Sequence, residues 1–439
     1  MTVLSIPLPI FILLFLPLLF PAFRAVSVRK GRVPFFEVLP VMFFCVLILL
    51  ALLFHGECGL CRSIPVDGLW LTLSMSGSFL CYLPALPKEE RRSPAPMLLP
   101  ALVTLSSVVF LQSAPDHIIF GGGILIGVLC LASFLIGGAY PGAYLRFFPV
   151  RLGVSAILSG LLSLSRTHLS SGILLLGLLA AVLLILPAPF PRRSEKVIQP
   201  GFLRVDQAIF SVLPPLIAFH LFRGVVPELI PPIWMLLSLA LLLSLSGLLF
   251  AKTSLFVEEL ADGLTVAGTG FMISGLLTFQ MEGHQGALFL AIMIPLATAL
   301  SGLSLSFLAQ RFRTRTFQGL VGQGTVVEPL RLAFLFGAFQ GMSLPLVGGM
   351  LGEWLILKAL STVSLTLSLL AIGGIFLAFV LVLGRTRILF TGEAVSRLSN
   401  ADQRLACEIG FPEAWALGLA FFFLMMIDLF GSFGWMGGR

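Results

Sequence analysis

The sequence contains few charged residues. Of its 439 residues, 11% are Asp, Glu, Lys or Arg, whereas soluble domains carry about 25%. Hydrophobic residues make up 58% of the chain, and the mean hydropathy is +1.07. Apolar stretches of roughly 20 residues recur throughout, and such stretches cross bilayers as helices that satisfy their own backbone hydrogen bonds. The composition excludes a soluble globular protein and predicts an all-α integral membrane protein.

Histidine and cysteine are also scarce, at five and six residues. The sequence contains no Ser/His/Asp set, metal-ligand spacing or dinucleotide-binding fingerprint. Cys45, Cys81 and Cys130 lie in apolar stretches, where cysteine packs as a small apolar residue. Cys58 and Cys61 form a single CxxC motif, which favours a thiol pair or disulfide over a metal site. We therefore predict no catalytic residue, no cofactor and no metal.

The net charge of +7 comes from short basic clusters between apolar stretches. Examples are the arginines between Arg24 and Arg32 and those between Arg311 and Arg315. This distribution is typical of the cytoplasmic loops of membrane proteins and does not indicate nucleic-acid binding. We expect a multi-pass protein of the cell (plasma) inner membrane, in contact with the lipid bilayer and with no nucleic-acid partner.

The apolar stretches predict about 14 transmembrane helices, give or take one, with boundaries placed to within a few residues. The predicted helices span residues 3–23, 35–54, 66–87, 95–113, 117–138, 146–163, 171–189, 205–222, 230–251, 258–280, 285–309, 329–346, 349–362, 364–384 and 412–432. Residues 385–411 mix charged and apolar positions, which predicts an amphipathic segment on the membrane surface.

Ionisable residues at membrane depth indicate function, because each costs roughly a few kcal/mol without water or a partner. Few ionisable residues of the sequence are expected at membrane depth. Asp428, for example, is expected at the membrane interface. Glu353 is the strongest candidate, because it follows a predicted helix break at Pro345, Gly348 and Gly349. A carboxylate beside backbone groups freed by such a break is a candidate proton or cation site. The alternative is a structural carboxylate that satisfies the break.

Lys358 and Glu258 are further candidates for a proton or ion path. Lys358 points away from Glu353 on the same helix, so we expect it to extend to the interface, or alternatively to pair with another helix. Glu258, Glu259 and Asp262 begin another predicted helix, where carboxylates suit the positive end of the helix dipole. Capping and solvation are the favoured roles for these three carboxylates.

The segment around Glu353 resembles a family signature. Residues 343–357 are Ser-Leu-Pro-Leu-Val-Gly-Gly-Met-Leu-Gly-Glu-Trp-Leu-Ile-Leu, similar to the "small-Leu-Pro…Gly-Phe-x-Gly/Ser-Glu-aromatic-Leu" motif of antiporter-like membrane subunits. These subunits occur in respiratory complex I (the M-type subunit), in hydrogenase-4-type membrane hydrogenases and in Mrp cation/proton antiporters. Weaker similarities occur in the family's order at Val66–Leu69, Leu264–Met272, His284–Ala287 and Arg385–Phe390.

The resemblance implies an antiporter-like fold with inverted repeats and broken helices, in a single polytopic membrane domain of residues 1–439. Within it, N-terminal helices would occupy about residues 1–115, a degenerate first repeat region 116–250 and a second repeat region 251–384. The amphipathic surface segment (385–411) and a C-terminal helix (412–439) would complete the chain.

In this family, protons are thought to pass along ionisable residues of the two repeats. Of those residues, this sequence keeps only the glutamate at Glu353. The other family positions fall near residues 123–126, Leu184, Ser211, Gly268 and Ile294, which carry no charge, and at Glu258, where the charge is inverted. The resemblance implies a non-redox membrane subunit of a proton-translocating complex, similar to NADH:quinone oxidoreductase or hydrogenase-4, with a degenerate proton path at Glu353.

The implied partners are other membrane subunits of the same complex, together with protons or monovalent cations. Two alternatives remain open. In the first, the chain is an ion-coupled subunit of an inorganic-carbon uptake system. Such a system would also contain a large soluble zinc protein. In the second, the chain is a purely structural membrane scaffold. Replacing Glu353 would then change assembly but not ion flux.

Overall fold

The structure is a computed structural model. It describes residues 45, 66–82, 215, 218, 219, 222, 233–312, 314, 316–322, 327–341, 349–391 and 410–436. Most of the predicted helices between residues 3 and 54 and between residues 95 and 222 lie outside these residues. The chain divides into two compact units, residues 1–186 with 224–230 and residues 187–223 with 231–439, and each is described by itself.

The described residues form helices, apart from one isolated β-bridge between Phe256 and Thr316. Helix α1 belongs to the first unit and the others belong to the second. The helices are α1 Val66–Tyr82, α2 Ile233–Thr253, α3 Val257–Leu276, α4 Met281–Arg311, α5 Phe317–Leu320, α6 Glu328–Gly341, α7 Gly349–Val363, α8 Leu365–Thr391 and α9 Phe411–Met436.

Three helices in the described part of the chain are long and apolar enough to cross a membrane. They are Trp234–Thr253 in α2, Met281–Arg311 as α4 and Leu365–Phe390 in α8. Each coincides with a span predicted from sequence to within a few residues, except at the C-terminal end of α8. The all-α membrane class is therefore confirmed, while the predicted total of about 14 helices extends beyond the described residues.

Helix α4 is the centre of the second unit, where it packs against α3, α6, α7 and α9. Its apolar membrane-crossing stretch is 100% buried. Small residues allow this close packing, as is usual between membrane helices. At Gly286 of α4, an added methyl group would overlap the carbonyl oxygen of Gly352 in α7. The α4–α7 contact therefore requires glycine at this position.

Helices α6 and α7 flank the predicted helix break. Helix α6 ends at Gly341 after 14 residues, and α7 begins at Gly349 and has 15 residues. Pro345 and Gly348 lie outside the described residues. Glu353 is the fifth residue of α7 as it is described, on the C-terminal side of the predicted break.

Helix α8 continues to Thr391, beyond its predicted end at residue 384. The predicted helix end at residue 384 is therefore too early, whereas the amphipathic segment stays a prediction, since residues 392–409 lie outside the described part. Arg385 lies within α8 because it has hydrogen-bond partners on α2, far from it in sequence. Its guanidinium donates to the carbonyl oxygens of Lys252 and Ser254 at the end of α2, and it stacks over the Phe317 ring at 4.3 Å.

Large apolar side chains remain exposed on the outer helices of the second unit. Helix α8 exposes Leu369 (60%) and Phe376 (67%), and α2 exposes Trp234 (62%) and Leu242 (59%). Such surfaces are unfavourable in water and favourable against lipid or a neighbouring apolar helix. The exposed faces of α2 and α8 are therefore consistent with a membrane protein.

Candidate functional site

Glu353 is a buried carboxylate in the first turns of α7. It is 7% exposed, although its neighbour Trp354 is 63% exposed. Helical geometry produces this contrast, because consecutive residues point about 100° apart around the axis. The glutamate therefore lies on the face of α7 that packs inside the unit, and Trp354 lies on the outer face.

A small cavity of about 20 Å³ lies beside Glu353. Its wall includes Ser244 of α2, Gly268 of α3, Gly341 at the end of α6 and Gly374 of α8. Of the described residues that line it, Glu353 alone is titratable, and most of the others are apolar. A cavity of this size with polar groups can hold a water molecule. The cavity thus has room for one water molecule next to Glu353, the proton-binding group in its wall.

Glycines leave space open at the junction of α3, α4 and α6, next to the cavity. A methyl group at Gly268 would lie 3.1 Å from both the Gly341 carbonyl oxygen and Cδ1 of Ile294. Gly268 and Ile294 are among the positions where the family resemblance predicts ionisable residues. The structure thus places two of the substituted positions, Gly268 and Ile294, next to each other and close to the wall of the Glu353 cavity.

Lys358 does not line this cavity. Its Nζ lies 3.3 Å from Oε1 of Glu282 at the start of α4, and the two side chains are 58% and 39% exposed. The structure therefore shows the pairing with another helix that the sequence left as an alternative. An exposed pair of this kind contributes about 0–1 kcal/mol. Lys358 and Glu353 are not brought together.

The carboxylates at the start of α3 differ from their predicted roles. Glu259 Oε2 accepts the backbone N–H groups of Leu255 and Phe256 at 3.2 and 3.4 Å, which confirms capping for this residue. The predicted solvation is wrong, because Glu259 is 5% and Asp262 is 4% exposed. Tight packing of α3 against α2 and α4 excludes solvent from both. Glu258 lies in the first turn of α3.

A pair of threonines, which the sequence analysis did not identify, connects α3 and α4. Thr265 Oγ1 and Thr298 Oγ1 lie 3.1 Å apart, and the residues are 1% and 5% exposed. Each hydroxyl also lies within hydrogen-bonding distance of a carbonyl oxygen in its own helix, Ala261 at 3.0 Å and Ile294 at 2.8 Å. The only available signal in the sequence is hydroxyl residues at helical spacing within apolar stretches.

A second polar contact lies at the inner end of α6. Gln340 is 0% exposed, and its Nε2 donates to Oδ2 of Asp428 in α9 at 2.6 Å. At about 1.5 Å per residue, Asp428 lies roughly 25 Å along α9 from Phe411. This distance approaches the roughly 30 Å of the hydrocarbon core, so the interfacial position of Asp428 stays a prediction, and Gln340 is its partner. An amide immediately before a predicted break was the signal available in the sequence.

Glu353 and its cavity form an arrangement that can bind and release a proton. A buried carboxylate changes charge when it gains or loses a proton, and a water-sized cavity gives that proton a neighbour. Within the described part of the chain, no group of three or more His, Cys, Asp or Glu side chains is placed to hold a metal.

No protein-family sequence model matches the chain, and no curated protein matches it significantly. Solved structures do match. A chain of respiratory complex I from Thermus thermophilus with bound NADH superposes with a TM-score of 0.72 and 18% identity, covering 96% of each chain. A second structure of that complex, with bound aureothin, matches with a TM-score of 0.69 and 15% identity, covering 96% of this chain and 97% of the other.

A chain of the membrane-bound sulfane sulfur reductase, an archaeal respiratory membrane complex, matches with a TM-score of 0.72 and 13% identity. The match covers 97% of this chain and 95% of that one. At these identities the likeness is one of fold, and it extends over almost the whole of each chain. The chain therefore has the fold of a chain found in respiratory complex I and in an archaeal respiratory membrane complex.

Proposed function

We propose that this chain is a membrane subunit of a proton-translocating respiratory complex, similar to NADH:quinone oxidoreductase or hydrogenase-4. The observation that carries this proposal is Glu353, a buried carboxylate next to a water-sized cavity. The shared fold supports it, because the matching chains belong to respiratory membrane complexes.

Glu353 acts by binding and releasing one proton. When it is protonated it is neutral and suits the apolar cavity wall. When it is ionised, it needs water or another polar group to offset the cost of a buried charge. The cavity volume of about 20 Å³ admits little more than one water. A proton therefore passes through this site by way of Glu353 rather than through bulk water.

The exposed apolar faces support lateral partners. The face of α8 carries Leu369, Phe376 and Val380, which are 60%, 67% and 51% exposed, beside Gly373 and Gly384, whose Cβ positions meet nothing within 4 Å. Apolar faces with small residues suit close contacts with other membrane helices or with lipid acyl chains. Other membrane subunits of the same complex are accordingly the proposed partners.

The second candidate function is a structural scaffold. The observation that favours it is the cavity wall, which is mostly apolar among the described lining residues. A scaffold predicts that Glu353 affects assembly alone. Experiments that score assembly and proton movement separately distinguish the two functions.

Membership in a complex is tested by affinity purification of the tagged chain from its native membranes in a mild detergent. We expect other membrane subunits and an electron-transfer activity to copurify with it. As a control, another tagged membrane protein is purified from the same material and should be recovered with its own complex intact. Recovery of this chain alone, when the control complex is intact, would contradict the proposal.

The role of Glu353 is tested by Glu353→Gln in that complex, because glutamine keeps the size and hydrogen bonding of the side chain and cannot exchange a proton. We expect assembly on a native gel and reduced proton translocation. Lys358→Met is the matched control, since Lys358 lies on the same helix outside the cavity, and it should leave translocation unchanged. A lower yield of assembled complex, with unchanged proton translocation in the complex that does assemble, would favour the scaffold.

A further inference from the structure

The Glu353 cavity has an outer wall formed by α2 and α8. Ser244 and Leu245 of α2 and Leu370 and Gly374 of α8 line this wall, which we call the α2–α8 seam. Leu370 is 46% exposed, and Ser244, Leu245 and Gly374 are half-buried. Glu353, at the inner end, is 7% exposed. The cavity therefore extends from a buried carboxylate to the protein surface between two helices.

Packing across the α2–α8 seam is loose. Among the described residues, a methyl group added at Gly374 would meet only Cδ2 of Leu245, at 3.8 Å, which is an ordinary contact distance. At the same level of α2, a methyl group added at Gly270 of α3 would lie 2.5 Å from the backbone nitrogen of Ser244. Helix α2 is thus tightly packed on α3 and loosely packed on α8. The apolar stretch of α8 is 28% buried, compared with 100% for α4.

The seam and the cavity together offer room for a small organic molecule. The enclosed part beside Glu353 is about 20 Å³, and the whole space between the lining side chains, including its open outer part, is about 430 Å³. Binding sites for small molecules measure about 300–1,000 Å³. The described lining residues are apolar apart from Ser244 and Glu353. A neutral apolar molecule therefore suits this space, whereas a charged molecule would lose its hydration there.

The surface outside the seam is apolar. Leu369 and Phe376 of α8 are 60% and 67% exposed, and Leu242 of α2 is 59% exposed. Both helices are long and apolar enough to cross a membrane, so this surface lies at the depth of the lipid acyl chains. Neutral apolar molecules concentrate among acyl chains because water excludes them. The seam thus opens toward the place where such molecules are most abundant.

We propose that the α2–α8 seam is a lateral entrance through which neutral apolar molecules dissolved in the bilayer reach and bind beside Glu353. The inference goes beyond the proposed function, because it requires Glu353 to carry a proton but not to translocate one. A bound molecule of this class would displace the water for which the cavity has room. It would thereby block proton exchange with the carboxyl group.

The entrance makes Glu353 a site of covalent modification by an apolar carbodiimide. The protonated carboxyl group adds to the reagent: its oxygen bonds to the central carbon of the N=C=N group, and its proton moves to one nitrogen. The acyl group then moves from oxygen to nitrogen and forms a stable N-acylurea. The product contains every atom of both reactants, so no leaving group, oxidant or reductant is involved.

The test labels the full chain in its native membranes with dicyclohexylcarbodiimide. Mass spectrometry of the purified chain then measures the rate at which the adduct forms at Glu353. Gly374→Leu fills the seam, because its side chain extends toward Leu245. Gly373→Leu is the matched control, since Gly373 is the preceding residue of α8, does not line the cavity, and an added methyl group there meets nothing within 4 Å. Leu245→Ala widens the seam.

We expect an adduct at Glu353 in the wild-type chain and a rate about tenfold lower in Gly374→Leu, which corresponds to about 1.4 kcal/mol for displacing the added side chain. Gly373→Leu should react at the wild-type rate, and Leu245→Ala should react faster. A charged, water-soluble carbodiimide should label Glu353 more slowly than the apolar reagent, because charge is costly in an apolar seam. If Gly374→Leu does not accumulate in membranes, Leu245→Phe makes the same test from α2.

The lateral entrance is overturned if Glu353 forms no adduct in membranes while the same peptide is labelled after the membranes are dissolved in SDS. Equal rates in Gly373→Leu and Gly374→Leu, or faster labelling by the charged reagent, would also overturn it, because the reagent would then arrive by another route. None of these results bears on the proposed function, which Glu353→Gln tests separately through proton translocation.

Discussion

Removing the hydrogen bond between Gln340 and Asp428 should destabilise the second unit near the helix break. The amide is 0% exposed and lies 2.6 Å from the carboxylate oxygen, at the end of α6. Gly341, the next residue, lines the Glu353 cavity. Loss of the bond would therefore loosen the end of α6 and the cavity wall together.

The expected magnitude follows from the environment. Hydrogen bonds to charged groups contribute about 1.5–3 kcal/mol in soluble proteins. Between membrane helices the measured coupling averages about 0.6 and reaches about 1.7 kcal/mol, because the unfolded helices find other partners. The short bond and complete burial of Gln340 place this pair near the upper value, so we expect a coupling of about 1–1.7 kcal/mol.

The assay is a double-mutant cycle with Gln340→Leu, Asp428→Leu and the double variant. Each protein is unfolded by SDS in mixed micelles, and the free energy of unfolding is followed by circular dichroism. The cycle isolates the pair, because the loss of each side chain elsewhere cancels between the single and double variants. A coupling below about 0.3 kcal/mol, the usual error of additivity, would refute the contact between α6 and α9.

Two further predictions concern packing. Gly286→Ala would overlap the Gly352 carbonyl and should destabilise the protein by about 1–3 kcal/mol. Gly373→Ala meets nothing within 4 Å and should be neutral or stabilising by up to about 1 kcal/mol; equal effects in SDS unfolding would contradict this packing. Arg385→Ala removes hydrogen bonds to carbonyls such as that of Lys252 and should cost about 1.5–3 kcal/mol. An unchanged free energy of unfolding would contradict these hydrogen bonds between Arg385 and the end of α2.

The helices were predictable because hydropathy is a strong local signal. The span around α4 was placed to within a few residues, since a long uncharged stretch has few alternatives in a bilayer. The C-terminal end of α8 was not placed correctly from the sequence. Charge at Arg385 suggested a surface segment, whereas its guanidinium binds carbonyl oxygens of α2. That partner is distant in sequence and cannot be inferred from local composition.

The candidate site was predictable only in part. Glu353 was identified from its position after a helix break, and the structure gives it a cavity and burial. The threonine pair and the Gln340–Asp428 contact were missed, because each joins residues on different helices. A hydroxyl or amide within an apolar stretch gives little signal until the packing of its helix is known.

The most direct test of the central claim is the number of protons translocated per electron in the purified complex with Glu353→Gln. The complex is reconstituted in liposomes, and proton uptake and electron transfer are recorded in the same sample. If Glu353 binds and releases protons during turnover, the ratio should fall relative to the wild-type and Lys358→Met complexes, with assembly unchanged on a native gel. An assembled Glu353→Gln complex with the wild-type ratio would contradict the account.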